Sequence, residues 1–345
     1  MYQQNFVEKA IKVAAAPRVH AIILNWNNYE DTKECLKSLE RASYSNLFIT
    51  VVDNGSTDGS AKRLQKQFSN LNYIFNENNL GFARGCNVGI RAALEDEDCR
   101  YVLLLNNDAV ATPGFLERAI EVGEADKAIG LIGGKILYSP ESRKIWYAGG
   151  KIKKWRGLTV VRGFREIDQG QYDMATEVGF VTGALMLIRR EVLSKVGLLP
   201  EEYFFGCEEI DYSLAVSHHG YKLYYVPEFL VYHEADGSHT NYDPKFVYNN
   251  YRSKLILQEK YLPRGLFSLW KIVFSFYGRH VARRVWQRIR DEDPELSDKR
   301  IPLADLNFAF ERALLDHGKS VLSEEILISF DEALRQKNCV RDINH

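Results

Sequence analysis

Three carboxylates in four positions stand out along the chain, in Phe204-Phe205-Gly206-Cys207-Glu208-Glu209-Ile210-Asp211. Acids suit the first turn of a helix, where backbone N–H groups are unpaired and the dipole is positive. Beside two phenylalanines, burial can also lift a carboxyl pKa toward neutrality, as deprotonating a hydroxyl requires. One of Glu208, Glu209 and Asp211 is therefore a candidate general base. Earlier, Leu105-Asn106-Asn107-Asp108 offers two oxygen ligands two positions apart, Asn106 and Asp108, after an apolar run. That arrangement suits a hard divalent cation, Mg2+ or Mn2+, shared with a diphosphate. His233, in Val231-Tyr232-His233-Glu234, could complete a mixed oxygen and nitrogen site, although a lone histidine is more often structural.

Three more polar runs complete the set. Asn25-Trp26-Asn27-Asn28-Tyr29 brings amides that donate and accept, so Asn25 and Asn27 can read the polar edge of a ligand; a plain Asn-rich turn explains them as well. In Val52-Asp53-Asn54-Gly55-Ser56-Thr57-Asp58, Asp53 follows an apolar strand directly and can accept an N–H from a pyrimidine base, while Asp58 reads as a helix cap. In Asn78-Asn79-Leu80-Gly81-Phe82-Ala83-Arg84-Gly85-Cys86-Asn87, Asn79 and Gly81 lie where backbone can approach a ligand. Arg84 can meet phosphate at a helix start or be simply solvated. The spacing matches neither a dinucleotide fingerprint nor a Walker loop.

The elements that must hold these runs follow from periodicity. Strands are expected at 19–24, 47–52, 72–75 and 101–105, with helices at 31–41, 59–68 and 82–94, giving four βα units and a mostly parallel sheet. Ligands bind outside the carboxyl ends of such strands, where these polar runs fall. After about residue 140 the text turns aromatic and Gly-rich at 146–163, then gives an apolar strand at 184–188 and a helix at 191–196.

With 345 residues, 46% hydrophobic and 26% charged, the chain is globular and large enough for about two domains. Its 45 basic and 46 acidic residues nearly cancel, which argues against nucleic acid as a partner. Five widely spaced cysteines without a CxxC pair suggest neither a disulfide framework nor zinc, and a reducing compartment is expected. Residues 1–17 contain Glu8, Lys9 and Lys12 and lack the apolar core of a signal peptide, so secretion is not indicated. No 18 apolar residues run together. Between 262 and 290 there are seven Lys or Arg and no acid, interleaved with Trp270, Phe274, Phe276, Tyr277 and Trp286. Such a segment suits an anionic membrane surface, and it suits equally a helix packed on its own domain or against a second copy.

Taken in order, Val52-Asp53-Asn54-Gly55-Ser56-Thr57-Asp58, Asn79-Leu80-Gly81-Phe82-Ala83-Arg84-Gly85-Cys86-Asn87, Leu105-Asn106-Asn107-Asp108 and Glu208-Glu209-Ile210-Asp211 closely resemble the family 2 glycosyltransferases over about residues 19–240. The rhamnosyltransferase-like branch has a similar Asn-Leu-Gly-Phe stretch and a segment like Val181-Thr182-Gly183-Ala184 before its acids. The resemblance implies an α/β GT-A fold, a Rossmann-like nucleotide-binding half (19–125) and an acceptor half (126–260) on one mixed sheet. An N-terminal extension (1–18) and a C-terminal helical region (261–345) would flank it. It implies a nucleotide-sugar donor, with dTDP-rhamnose favoured and a UDP-sugar possible, and a saccharide or glycolipid acceptor in cell-surface polysaccharide or cell-wall synthesis. The anomeric centre would be inverted, at a cytoplasmic site or the inner face of the membrane.

By position, Asp53 would bind the base, Asp108 the metal and Glu209 the acceptor proton, while His233 would help hold metal or diphosphate. Gly183 and Ala184 would lie near the two sugars. Two departures are visible: Asn106 stands where the family motif has Asp, and Glu209 where Asp is common, leaving Glu208 and Asp211 open as the active acid. A nucleotidyltransferase is the competing enzyme class, but it needs a Gly-rich basic loop after the first strand, and 25–29 supplies none. A non-catalytic sugar- or nucleotide-binding module would leave the acidic cluster unexplained.

Overall fold

Alternation of β-branched runs with amphipathic stretches produces β1 (Arg18–Asn25), α1 (Tyr29–Glu40), β2 (Leu47–Asp53), α2 (Ser60–Gln67), β3 (Asn72–Phe75), α3 (Phe82–Leu94) and β4 (Cys99–Asn106). The computed structural model describes residues 16–153, 158–233, 244–292, 303–318 and 328–337. Helix α3 and β3 have the expected bounds, and β1, β2 and β4 extend the expected strands by a residue or two at one or both ends. The fourth unit differs: β4 turns at once into a short strand, β5 (Ala109–Ala111), before α4 (Glu117–Ala125). Further along come β6 (Ile129–Leu137), β7 (Ile145–Tyr147), β8 (Gly150–Lys153), β9 (Leu158–Val161), β10 (Thr176–Glu177) and β11 (Leu185–Arg189). Then follow α5 (Arg190–Lys195), α6 (Glu208–His218), β12 (Lys222–His233), α7 (Pro244–Tyr261), α8 (Arg264–Glu292) and α9 (Leu303–Asp316).

One sheet organises the molecule in the order β10-β12-β6-β11-β4-β1-β2-β3, with β5 on β12 and β7 on β6. Strands β4, β1, β2 and β3 are parallel; β11 runs antiparallel between β4 and β6, and β6 and β12 are again parallel. The sheet is thus mixed, as the family resemblance implies, rather than mostly parallel. Strand β6 is buried at every position, yet its glycines, Gly130, Gly133 and Gly134, dilute the β signal that would have revealed it.

Apolar clusters cover both faces of the sheet. One gathers Cys35, Leu36 and Leu39 of α1 with Phe115 and Phe229; the other gathers Ala83, Cys86 and Ile90 of α3 with Val192 of α5 and Tyr212 of α6. A third cluster joins Val247, Tyr248 and Leu255 of α7 to Phe274 of α8 and Phe310 of α9. Helix α7 packs on both sides, since its Leu257 also joins Ile210 and Leu214 of α6. Residues 1–15 of the expected extension, and Cys339, lie outside the described residues.

Candidate active site

Parallel pairing sets the donor-side loops in line, since register places Asn25 opposite Asp53 and Leu24 opposite Asn106. Asp53 is buried at the end of β2. Its Oδ1 accepts from Asn25 Nδ2 at 2.8 Å and Ser56 Oγ at 2.6 Å, and its Oδ2 accepts from the Ser56 backbone N–H at 3.0 Å. A carboxylate offers about four lone-pair sites, so one direction on Oδ2 is left for a ligand. Asn25 itself is fully buried and its amide is satisfied by Asp53, Ser56, Ser60 and Thr32. That corrects the expectation of donor contact: Asn25 has no free edge and instead orients Asp53. Asn27, exposed and at φ 49°, clips this loop by accepting from the N–H groups of Thr57 and Asp58.

Asn54, not singled out in the sequence beyond its place in the motif, is the hub of the next loop. Its Nδ2 donates to Asn79 Oδ1 (2.9 Å) and Gly81 O (3.1 Å), and its Oδ1 accepts from Asn76 Nδ2 and the Leu80 N–H, both at 3.1 Å. Asn79 also accepts from the Gly81 N–H. Gly81 adopts φ +79°, and a Cβ there would lie 2.4 Å from Phe204 O, the same oxygen that accepts from the Phe82 N–H at 2.8 Å. Only glycine lets this loop seat against the segment that carries the acids. Arg84, half-buried on the first turn of α3, leans toward Glu201, with Nε 3.9 Å from Oε2. Its guanidinium has a carboxylate neighbour, and the expected phosphate contact gains no support from that geometry.

The metal-type residues meet because β5 pairs with the end of β12, His233 opposite Ala109. His233 therefore ends a strand rather than following one, directly beside Asp108. Its Nε2 is 2.9 Å from Asp108 Oδ1 and 3.2 Å from Asn106 Nδ2, and the edge of Trp146 braces the ring at 5.1 Å between centroids. Asp108 Oδ1 is buried and makes no hydrogen bond among the described residues, despite its closeness to the imidazole. A buried carboxylate oxygen and an imidazole nitrogen this close can share a divalent cation. The donor set, one carboxylate, one imidazole and a nearby amide, fits Mn2+ or Mg2+ completed by substrate oxygens. Among the described residues no group of three His, Cys, Asp or Glu is placed to hold a metal ion. Asn107 points the other way, donating to Thr32 Oγ1 at 2.8 Å. Thr32 in turn donates to Asn25, so the metal turn and the Asp53 loop share one network.

Strand β11 links the Asp108 turn to the acids. The Asn106 N–H donates to Ala184 O at 3.0 Å, and a Cβ at Gly183 would lie 3.9 Å from Glu209 Cβ and 3.0 Å from the Phe82 ring. Glu208, Glu209 and Asp211 occupy the first turn of α6 but have three different surroundings. Asp211 is buried, accepting from Tyr203 Oη (3.0 Å), Tyr261 Oη (2.6 Å) and Lys260 Nζ (2.7 Å). That corrects its candidacy as a base: 1% exposed and held by three donors, it is a strut to α7. Glu208 is buried with Oε2 unpartnered among the described residues, and burial first, then the neighbouring Glu209 charge, pushes its pKa well up. Glu209 is half-buried beside Gly183, and burial raises its pKa as well.

Residues 20–197, just over half the chain, match the family model for glycosyl transferase family 2. The chain belongs to that family. It is 24% identical over 227 residues to the N-acetylglucosaminyl-diphospho-decaprenol L-rhamnosyltransferase of Mycobacterium tuberculosis, covering 61% of this chain and 73% of that one. It is also 24% identical over 204 residues to the poly-beta-1,6-N-acetyl-D-glucosamine synthase of Staphylococcus aureus, covering 59% of this chain but 46% of that one. In fold it is similar to GalNAc-T7, solved with UDP, GalNAc and Mn2+, at a TM-score of 0.56 and 14% identity over 88% of this chain and 55% of that one. The family 2 glycosyltransferase described here is therefore a GT-A enzyme.

Within this glycosyltransferase, Asn54, Thr32 and Trp146 are the supporting residues that sequence reasoning passed over. Asn54 had a signal, its position inside the Asp53 motif. Thr32 sits within an ordinary amphipathic helix, whose packing brings it to Asn25 and Asn107, and Trp146 in irregular aromatic text, where the pairing of β7 with β6 brings it to His233.

Proposed function

We propose that this enzyme transfers rhamnose from dTDP-rhamnose, or less favourably a sugar from a UDP donor, onto a lipid-linked saccharide for cell-surface polysaccharide, with inversion and with dependence on Mn2+ or Mg2+. The observation that carries the reading is the buried Asp108 oxygen 2.9 Å from His233 Nε2, on the turn whose Asn106 N–H donates to Ala184 O, next to the Gly183 that Glu209 flanks. The Mycobacterium tuberculosis relative, named for a decaprenol-linked acceptor and L-rhamnose, supports this donor and acceptor.

Asp53 accepts an N–H of the pyrimidine base, while Asn25 and Ser56 fix its carboxylate. Asp108 and His233 would hold the divalent cation, whose positive charge offsets that developing on the diphosphate. Glu209 removes the proton of the acceptor hydroxyl as that oxygen attacks C1; the bond from C1 to the diphosphate oxygen breaks and the nucleoside diphosphate leaves. A single displacement from the opposite face inverts the centre and needs no covalent enzyme intermediate. Burial of Glu209 raises its basicity, which suits proton removal near neutral pH.

The test is transfer by the purified chain, with Mn2+, from a panel of nucleotide sugars to N-acetylglucosaminyl-diphospho-polyprenol. Release of dTDP from dTDP-rhamnose is expected. Turnover of a UDP-sugar alone would replace the donor, and a folded Glu209→Ala variant with wild-type transfer would remove the base.

A further inference from the structure

The helical unit carries a surface that the transfer reaction does not use. Along α8, Phe267 and Phe274 turn inward, the Phe274 ring lying tilted against Phe310 of α9 at 5.4 Å between centroids. Leu266, Leu269, Ile272, Val273, Phe276 and Tyr277 remain between 48% and 80% exposed. At helical spacing these six fall within about 140° of the circumference, on the side away from Phe267 and Phe274. The next turns on that same side bear His280, Arg283 and Arg284, all exposed. A contiguous apolar stripe of this kind is costly to leave in water and marks a contact surface.

We propose that this face of α8 docks the enzyme on an anionic lipid bilayer. From 262 to 290 the chain has seven Lys or Arg and no acid. Arg283 and Arg284 continue this face and no carboxylate lies on the helix before Asp291, so anionic headgroups supply the complementary charge. The stripe from Leu266 to Tyr277 is about 17 Å long, roughly half the hydrocarbon thickness, so the helix lies in the interface plane. Among the described residues no helix is long and apolar enough to cross a membrane. Helix α7 joins this face to the catalytic loop, since Asn249 Nδ2 and Ser253 Oγ both donate to Phe205 O. Docking goes beyond the proposed reaction, and vesicle binding is read without donor or acceptor, so either proposal can fail alone.

The full chain is mixed with vesicles of phosphatidylglycerol and phosphatidylcholine in equal parts, or of phosphatidylcholine alone, and floated on a density gradient. It should float with the anionic vesicles, and less so as salt is raised. The Leu269→Glu/Phe276→Glu double variant, on exposed positions that leave thermal unfolding unchanged, should lose at least about tenfold in binding. Arg283→Glu/Arg284→Glu should weaken binding to anionic vesicles selectively. Absence of flotation with anionic vesicles, or equal flotation of the Leu269→Glu/Phe276→Glu variant, overturns the proposal. So does a wild-type dimer, seen by sedimentation, that this double variant splits, because the face would then join two copies.

Discussion

The two walls of the cleft are built on opposite terms. On the nucleotide side, Asn25, Asp53, Asn54 and Thr32 are buried and satisfied by one another and by backbone, with a single direction on Asp53 left open. On the side where bonds would change, Asp108 Oδ1 and Glu208 Oε2 are buried with no hydrogen bond among the described residues, and Glu209 holds its proton more tightly than an ordinary carboxyl. A satisfied network fixes geometry at little cost, while an unsatisfied buried polar atom costs free energy until something binds it. The contrast separates residues that position from residues that act.

Its sharpest break would come at Glu209. Glu209→Gln should lower kcat about 100- to 10,000-fold with donor affinity unchanged by calorimetry. Because the base must be ionised, wild-type kcat should climb with pH through a midpoint above the ordinary 4.5, and that limb should vanish in the variant. Next, Asp108→Asn or His233→Ala should weaken Mn2+-dependent donor binding at least about tenfold, read by calorimetry with and without the metal. Unchanged metal dependence in both would mean that the facing pair is merely structural.

On the satisfied wall the loss should fall on stability. Asn25→Ala strands Thr32, Ser60 and Asp53 partners, and should lower the unfolding free energy by about 1–3 kcal/mol in urea titrations. The smallest effect is expected at Glu208. Its pKa is raised in the folded protein, so the fold favours the protonated acid, and ionisation weakens stability as pH rises past the unfolded carboxyl value. Glu208→Gln should therefore match wild type in Tm near pH 4 and exceed it near pH 8; a difference independent of pH would deny the desolvated carboxylate.

Much of the nucleotide half is legible along the chain because its strands and helices are local, and each polar run directly follows its strand. Helix α3 and the motifs at 52–58 and 79–87 fall where periodicity and turn chemistry put them. The second half is less legible for physical reasons. Strand β6 is hidden by its glycines, and β11 enters antiparallel between strands distant in sequence. Asp211 reads as well as Glu209 for a base, since only the distant Tyr261 and Lys260 show that it is already held.

By itself, then, the sequence determined the residue types, the order of the motifs and the βα rhythm, because these depend on neighbours a few positions apart. The tertiary structure alone decided which acid is free, that His233 stands beside Asp108, that Asn25 is a support, and that α8 turns an apolar face outward. Each depends on partners tens to more than a hundred positions away, which chain spacing does not encode.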